Sequence, residues 1–360
     1  MTKFQCSVCK SNYPETGLPH LCPVCGGVFE VTEITFSRQA NSIYPGLWQY
    51  RQSFGIPLEY PVTYLGEGDT PLVSREIHGK QVSFKLEYLN PTGSFKDRGT
   101  AVLTSLLLGR GIDRVVEDSS GNAGASLAFY SAANGIKSSI FVPSSTSGPK
   151  RRQMEACGGN VIPIPGGREN AHHAALALVE EQSIPYASHA LLPFGIPGIA
   201  TIAFEIFEQL GGLPGTIVAP VGHGSLFTSL ALGVEALRVQ FGFSETVSLV
   251  GVQPARCAPL VARWKGKKFE RSEQASIAEG TQIAAPAREA QALRFLKPGL
   301  DDMISIEEEQ ILPAVSDLAR IGFYVEPTSA LVWAAFSRHC QDWKEPIVLI
   351  LTGSGLKFGE

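Results

Sequence analysis

Six short apolar runs constrain the fold more than any other feature of the chain: RVVEDSS (114–120), SSIFVP (138–143), NVIPIP (160–165), TIVAPV (216–221), VSLVGV (247–252) and IVLILT (347–352). Helix-length segments separate them, among them GASLAFYSAANG, NAHHAALALVEEQ, GIATIAFEIFEQLGG and SLFTSLALGVEALRVQFG. Short apolar runs alternating with amphipathic helices argue for parallel sheets covered by helices. The expected fold class is therefore α/β, and 360 residues suffice for two packed domains. In such folds ligands bind beyond the carboxyl ends of strands, where the next helix begins. Three of those turns are rich in Gly and small polar residues: SSGNAG (119–124), VGHGS (221–225) and TGSG (352–355).

The N-terminal segment follows a different logic. Four of the seven cysteines form two C-x2-C pairs, Cys6 with Cys9 and Cys22 with Cys25, twelve residues apart. Each pair can turn two thiolates toward one ion, Gly26 and Gly27 permit a tight knuckle, and two knuckles close a tetrahedral shell. A closed shell predicts a structural Zn2+; two disulfides or four unrelated thiols are the competing account. No apolar leader opens the chain and no apolar run reaches the roughly 20 residues of a bilayer span, so the expected location is the cytoplasm, with no membrane partner. Thiols stay reduced there, which favours the ion over disulfides. The formal charge is -4, and residues 1–35 carry Lys3 and Lys10 against Glu15, Glu30 and Glu33. That balance argues against nucleic acid and for a small-molecule partner.

The stretch NPTGSFKDRGT (90–100) places Lys96 where a turn hands over to the apolar run AVLTSLLL. A cation is disfavoured at a helix start, where unpaired N–H groups already supply positive potential. The same placement depresses the lysine pKa and raises the fraction of amine able to attack a carbonyl. In the turn after TIVAPV, the small residues around Gly222, His223, Gly224 and Ser225 let backbone N–H groups close around a phosphate. A ligand-free strand-to-helix turn would look similar. Phosphate cradle, reactive lysine and α/β scaffold together suit pyridoxal phosphate.

In order along the chain, GEGDTPL (66–72), NPTGSFKDRG (90–99), SSGNAGAS (119–126), the turn at 222–225, EPTSA (326–330) and LTGSGLK (351–357) resemble the motifs of the threonine synthase-like branch of fold-type II pyridoxal-phosphate enzymes. The resemblance covers about residues 60 to 357, and a four-cysteine ribbon is familiar in some members. It implies a ribbon over 1–35, a large cofactor-binding domain from 36–100 and 200–360, a small mobile domain over 101–199, and a homodimer. Lys96 would carry the cofactor and, once displaced by a substrate amine, serve as acid and base. Asn122 would bond the cofactor's phenolic oxygen. Gly222, His223, Gly224, Ser225 and Leu226 would hold its phosphate, and Thr352 would face the pyridine nitrogen. A hydroxyl there makes the ring a less complete electron sink, which favours elimination or elimination-then-addition over transamination. Ser119, Ser120 and Gly121, with Asn122, would cradle the carboxylate of a small amino-acid substrate, while Asp97 and Arg98 support the helix start.

The chain departs from threonine synthases proper where a second phosphate, that of O-phosphohomoserine, would bind. Ala123 follows Asn122 where those enzymes have Thr, and YASHALLPFGIPG offers His189 where they carry an Asn-Ser pair and an Arg. His189 is the candidate replacement donor. SIAEGTQIAAP (276–286) resembles the stretch of hydroxyamino-acid dehydratases, which makes Glu279 a candidate for the cofactor's edge or the substrate. The expected activity is thus a lyase of this branch; the alternatives are a serine/threonine ammonia-lyase, a cysteine- or cysteate-type β-replacement synthase, or an inactive scaffold that binds partners through its ribbon.

Overall fold

A computed structural model describes residues 2–146 and 148–359. The eleven described strands are β1 (Lys3–Cys6), β2 (Phe29–Glu33), β3 (Leu72–Ile77), β4 (Lys80–Lys85), β5 (Arg114–Glu117), β6 (Lys137–Pro143), β7 (Asn160–Ile164), β8 (Thr216–Pro220), β9 (Ser248–Pro254), β10 (Asp302–Ile306) and β11 (Ile347–Ile350). The ten described α-helices are α1 (Lys96–Gly109), α2 (Asn122–Ala133), α3 (Pro149–Ala156), α4 (Arg168–Gln182), α5 (Gly195–Leu210), α6 (Ser225–Phe241), α7 (Pro259–Trp264), α8 (Glu289–Phe295), α9 (Glu308–Arg320) and α10 (Pro327–His339). They divide into two compact units: residues 1–68, 96–199 and 359–360, and residues 69–95 and 200–358.

In the first unit β5, β6 and β7 form a parallel sheet in that order. Residues 185–187 run beside β5: the Val116 N–H donates to Pro185 O at 3.0 Å and the Ala187 N–H to Val116 O at 2.8 Å. One side of this sheet packs Val116 and Phe141 against Ala171 and Ala175 of α4 and against Tyr186. Ala125 and Ala128 of α2 meet Ile140, Val142 and Met154 in a second cluster. The ribbon's β1 and β2 pair antiparallel. It is joined to this unit by aromatic contacts of Phe194 with Phe4 at 4.7 Å and Tyr13 at 4.6 Å.

The second unit is built on a six-stranded sheet in the order β10-β9-β8-β11-β4-β3. All its neighbours are parallel except the β3–β4 hairpin. β8, β9 and β11 are buried along their whole length, which is why they read as unbroken apolar runs. Val82, Phe84, Val250, Leu331, Val332 and Leu349 belong to its main core, each large aliphatic side chain contributing about 1.5–3 kcal/mol on burial. Several charged side chains are buried in this unit, and Lys85 shows how one is accommodated. Lys85 Nζ, fully buried on β4, donates to Glu205 Oε2 at 2.6 Å, Thr70 O at 2.7 Å and Gln209 Oε1 at 2.9 Å, so all three of its donors are used.

Candidate active site

Lys96 is the first residue of α1. The helix start is braced within the first unit: Asp97 Oδ1 accepts from Ser126 Oγ of α2 at 2.6 Å, and Thr100 Oγ1 donates to Lys96 O at 3.0 Å. The Lys96 ammonium is pushed down to about 8, first by loss of solvent and further by the Arg168 charge, against an upward pull from Glu117. The direction matches the expectation from sequence, and burial is its main cause. An amine titrating there is available as a base and nucleophile near neutrality.

The turn between β5 and α2 carries Ser119, Ser120 and Gly121, and Asn122 opens the helix. Gly121 sits at the N-cap with φ -103°, and its N–H donates to Ser119 Oγ at 3.3 Å. The N-cap Gly121 brings no capping side chain, which suits this helix start to carboxylate binding. Ahead of this turn stand two acids that the motif pattern gives no reason to single out. Glu117 ends β5 and is paired through Oε1 with His189 Nδ1 at 2.6 Å. Burial and the neighbouring Asp118 charge hold the Glu117 carboxyl well above the usual carboxylate range. Asp118 accepts from Tyr186 OH at 2.6 Å and pairs with His172 Nδ1 at 3.1 Å. Burial pushes its carboxyl up, but these two hydrogen bonds outweigh it and keep the pKa low.

The second unit holds the other predicted group. The turn after β8 runs through Gly222, His223 and Gly224 to Ser225, the first residue of α6, with Leu226 buried in the first helical turn. Gly224 has φ +94°, and a Cβ on it would lie 3.3 Å from Ala292 Cβ and from Arg288 O. A Cβ on Gly222 would lie 2.8 Å from Gly280 O. Both positions therefore need glycine. The turn is fixed from outside, the Arg288 N–H donating to His223 O at 3.1 Å. Ser225 Oγ and Thr228 Oγ1 are buried and make no hydrogen bond among the described residues. Two orphaned hydroxyls beside an uncapped helix start, lined by glycine backbone, fit a phosphate. Thr228 is not among the expected residues; its place one turn into α6, three residues after Ser225, is the signal that could have found it.

Thr352, at the end of β11, is buried and its Oγ1 lies 3.0 Å from Ser329 Oγ of α10. Its carbonyl accepts from the Phe95 N–H at 3.0 Å, which fixes the residue immediately before Lys96. Glu279 is exposed, but its neighbour Gly280 donates to Thr328 Oγ1 at 3.1 Å, placing this segment's backbone against Gly222. Lys96, Ser119 to Asn122 and His189 thus belong to the first unit, and Gly222 to Leu226, Glu279 and Thr352 to the second. The GEGD stretch serves the fold, since Glu67, buried in the first unit, accepts from Trp48 Nε1 and Tyr130 OH, both at 2.7 Å.

Cys6, Cys9, Cys22 and Cys25 bring their sulfurs within 4.8 Å of one another, with Cys6 to Cys25 at 3.4 Å and Cys9 to Cys22 at 3.6 Å. Four thiolates about 2.3 Å from a zinc ion span edges of about 3.8 Å, so the set fits a structural zinc.

A family profile described as pyridoxal-phosphate dependent enzyme matches residues 63–353. The threonine synthase of Methanocaldococcus jannaschii is 30% identical over 98% of this chain and 92% of its own length. That of Mycobacterium bovis is 32% identical over 82% and 84%. Among solved structures, a threonine deaminase from T.th. superposes with a TM-score of 0.67 at 27% identity, covering 81% of this chain and 94% of that one. An L-serine ammonia-lyase from Rhizomucor miehei gives 0.70 at 20% identity over 82% and 95%, a likeness of fold.

Proposed function

The chain belongs to the pyridoxal-phosphate-dependent enzymes of fold type II, in the threonine synthase-like branch, and from that premise we propose that it breaks a carbon–oxygen bond of a small amino acid, as a threonine synthase or a divergent relative of one. The observation that carries this reading is the half-buried Lys96 at the head of α1, its amine depressed to about 8. When bound, the cofactor supplies an electron sink for the carbanion formed at the substrate's α-carbon. Lys96 is then the group that takes the α-proton and returns protons to later carbons. Gly222 to Leu226, with Ser225 and Thr228 hydroxyls, would hold the phosphate; Asn122 and Thr352 would bond the ring's oxygen and nitrogen. The neutral Thr352 hydroxyl, already shared with Ser329, does not protonate a pyridine nitrogen, which supports elimination over transamination. Ser119, Ser120 and Gly121 would receive the substrate carboxylate, and the four cysteines a structural zinc.

A specific observation favours a second reading, β-elimination from serine or threonine: His189, the candidate donor for a second phosphate, has its Nδ1 engaged by an acid, Glu117, which suits a phosphorylated substrate poorly. A cytoplasmic homodimer with no nucleic-acid partner completes the proposal. The deciding experiment offers the purified, cofactor-loaded protein O-phospho-L-homoserine and follows phosphate and threonine together. Stoichiometric release of both supports the first reading. No turnover, with serine or threonine giving a 2-oxo acid and ammonia, replaces it with the second.

A further inference from the structure

Glu117 and Asp118 are adjacent acids with unequal surroundings. Both Asp118 oxygens are engaged, by Tyr186 and His172. Glu117 is 1% exposed, and while Oε1 meets His189, Oε2 is buried and makes no hydrogen bond within the described residues. A buried acid with an unsatisfied oxygen is costly where its only role is packing. It also ends β5 two residues before Ser119, so it leads into the turn at the head of α2, in the same unit as Lys96. His189 reaches Glu117 because residues 185–187 run along β5, and a fifth of its side chain remains in solvent.

We propose that Glu117 and His189 form a proton-sharing pair serving the oxygen that leaves or adds at the substrate's side chain, with His189 as the catalytic acid–base and Glu117 as the residue that positions it. With Nδ1 tied to Glu117, any proton His189 exchanges with substrate passes through Nε2. As the carbon–oxygen bond breaks, the oxygen keeps the bonding pair and takes the Nε2 proton; the neutral imidazole regains a proton from water at its exposed edge. In the opposite sense, addition of water at carbon, Nε2 accepts the proton that the water gives up. A leaving group that needs this proton is a hydroxyl, so the pair points to hydroxy amino acids as a substrate class. The inference rests on the lyase reading above.

The groups facing Glu117 are Lys96 from α1, Asp118 beside it, Arg168 at the head of α4, and Tyr186 and His189 from the segment after α4. Burial and the Asp118 charge raise the Glu117 carboxyl, and Arg168, the His189 backbone N–H and Lys96 work against that.

The test uses Glu117→Gln and His189→Gln in the cofactor-loaded protein with serine and threonine, beside nitrogen-detected NMR titration of His189 in the cofactor-free wild type and Glu117→Gln. His189→Gln is expected to lower kcat about 10²- to 10⁴-fold with KM within about threefold, the usual range for a lost general acid. Glu117→Gln is expected to lower kcat about tenfold or more, to move the acidic limb of the pH profile, and to lower the His189 titration midpoint. Glu117→Asp should restore part of the lost rate. Wild-type kcat and an unmoved pH profile in both variants, with normal cofactor absorbance, would overturn the pair and leave the lyase reading standing. A wild type that binds no cofactor through Lys96 would overturn both. If His189→Gln does not fold, an unchanged His189 titration in Glu117→Gln overturns the proposal on its own.

Discussion

Two strand-to-helix turns are built by opposite means. The turn at 119–122 follows two acids, Glu117 and Asp118, and its glycine has an ordinary φ of -103°. The turn at 222–225 follows an apolar strand, its Gly224 has φ +94°, and two hydroxyls behind it have no hydrogen-bond partner among the described residues. The first is tuned by side-chain charge, the second by backbone shape. The difference teaches that a glycine N-cap without a capping side chain is only the common part; the proposed roles of the two turns, a resident phosphate against a passing carboxylate, turn on what surrounds it.

The largest effect should come from the lysine at the head of α1, in the same unit as the first of these turns. Lys96→Ala is expected to remove the visible absorbance of lysine-bound cofactor and to lower turnover by about 10⁴-fold, read by spectrum and by product assay. Retained absorbance would dissolve the distinction between a reactive and a holding unit.

Next comes a direct contest between the glycines. Gly224→Ala forces a side chain into the left-handed region at about 1–2 kcal/mol and presses on Ala292, so cofactor Kd should rise about tenfold or more. Gly121→Ala meets only Ser119 Oγ, at 3.9 Å, and its cofactor Kd should change by less than about twofold. Equal losses in equilibrium titrations of the two variants would break the comparison.

The hydroxyls sharpen it further. Ser225→Ala and Thr228→Val remove buried polar atoms without partners among the described residues, so thermal melting of the cofactor-free protein should hold or rise. Each should nonetheless weaken cofactor binding by about 1.5–3 kcal/mol, the worth of a hydrogen bond to a charged group. A fall in both stability and affinity would show that the hydroxyls serve the fold alone.

The smallest effect concerns acidity. With its pKa lowered to about 8 from 10.5, Lys96 binds fewer protons in the folded than in the unfolded chain between those values. Its share of the stability therefore increases as pH rises through that window and is lost as pH falls back through about 8. Reductive labelling of Lys96 in the cofactor-free protein should show a midpoint near 8; a midpoint at the ordinary lysine value would remove the electrostatic character assigned to the first unit.

Six of the strands were legible in the sequence: burial on both faces makes β8, β9 and β11 continuous apolar runs, β5 and β6 are mostly buried, and β7, without a fully buried residue, still reads as a short apolar run. The β3–β4 hairpin was not: LVSREI is largely exposed, and KQVSFK ends in a lysine whose burial depends on Glu205, 120 positions away. The four cysteines declared themselves by spacing alone. His189 was visible as a lone polar residue, but Glu117 was not, since a Glu at a strand end looks solvated until a partner 72 positions later closes over it. Local chemistry is written in neighbouring residues; partnerships between buried charges are written only in the fold.

The ribbon has a consequence for supply rather than for chemistry. Arg110, just past the end of α1, lies over both Tyr13 and Phe194 and donates to Gly17 O and Pro14 O, while His20 meets Tyr186 edge-on at 5.2 Å. A ribbon emptied of metal would release these rings together and leave Phe194 and Tyr186 as bare apolar surface. A cell short of zinc would then hold fewer intact molecules, each still competent, and the amount of enzyme would follow the metal available when the chain is made.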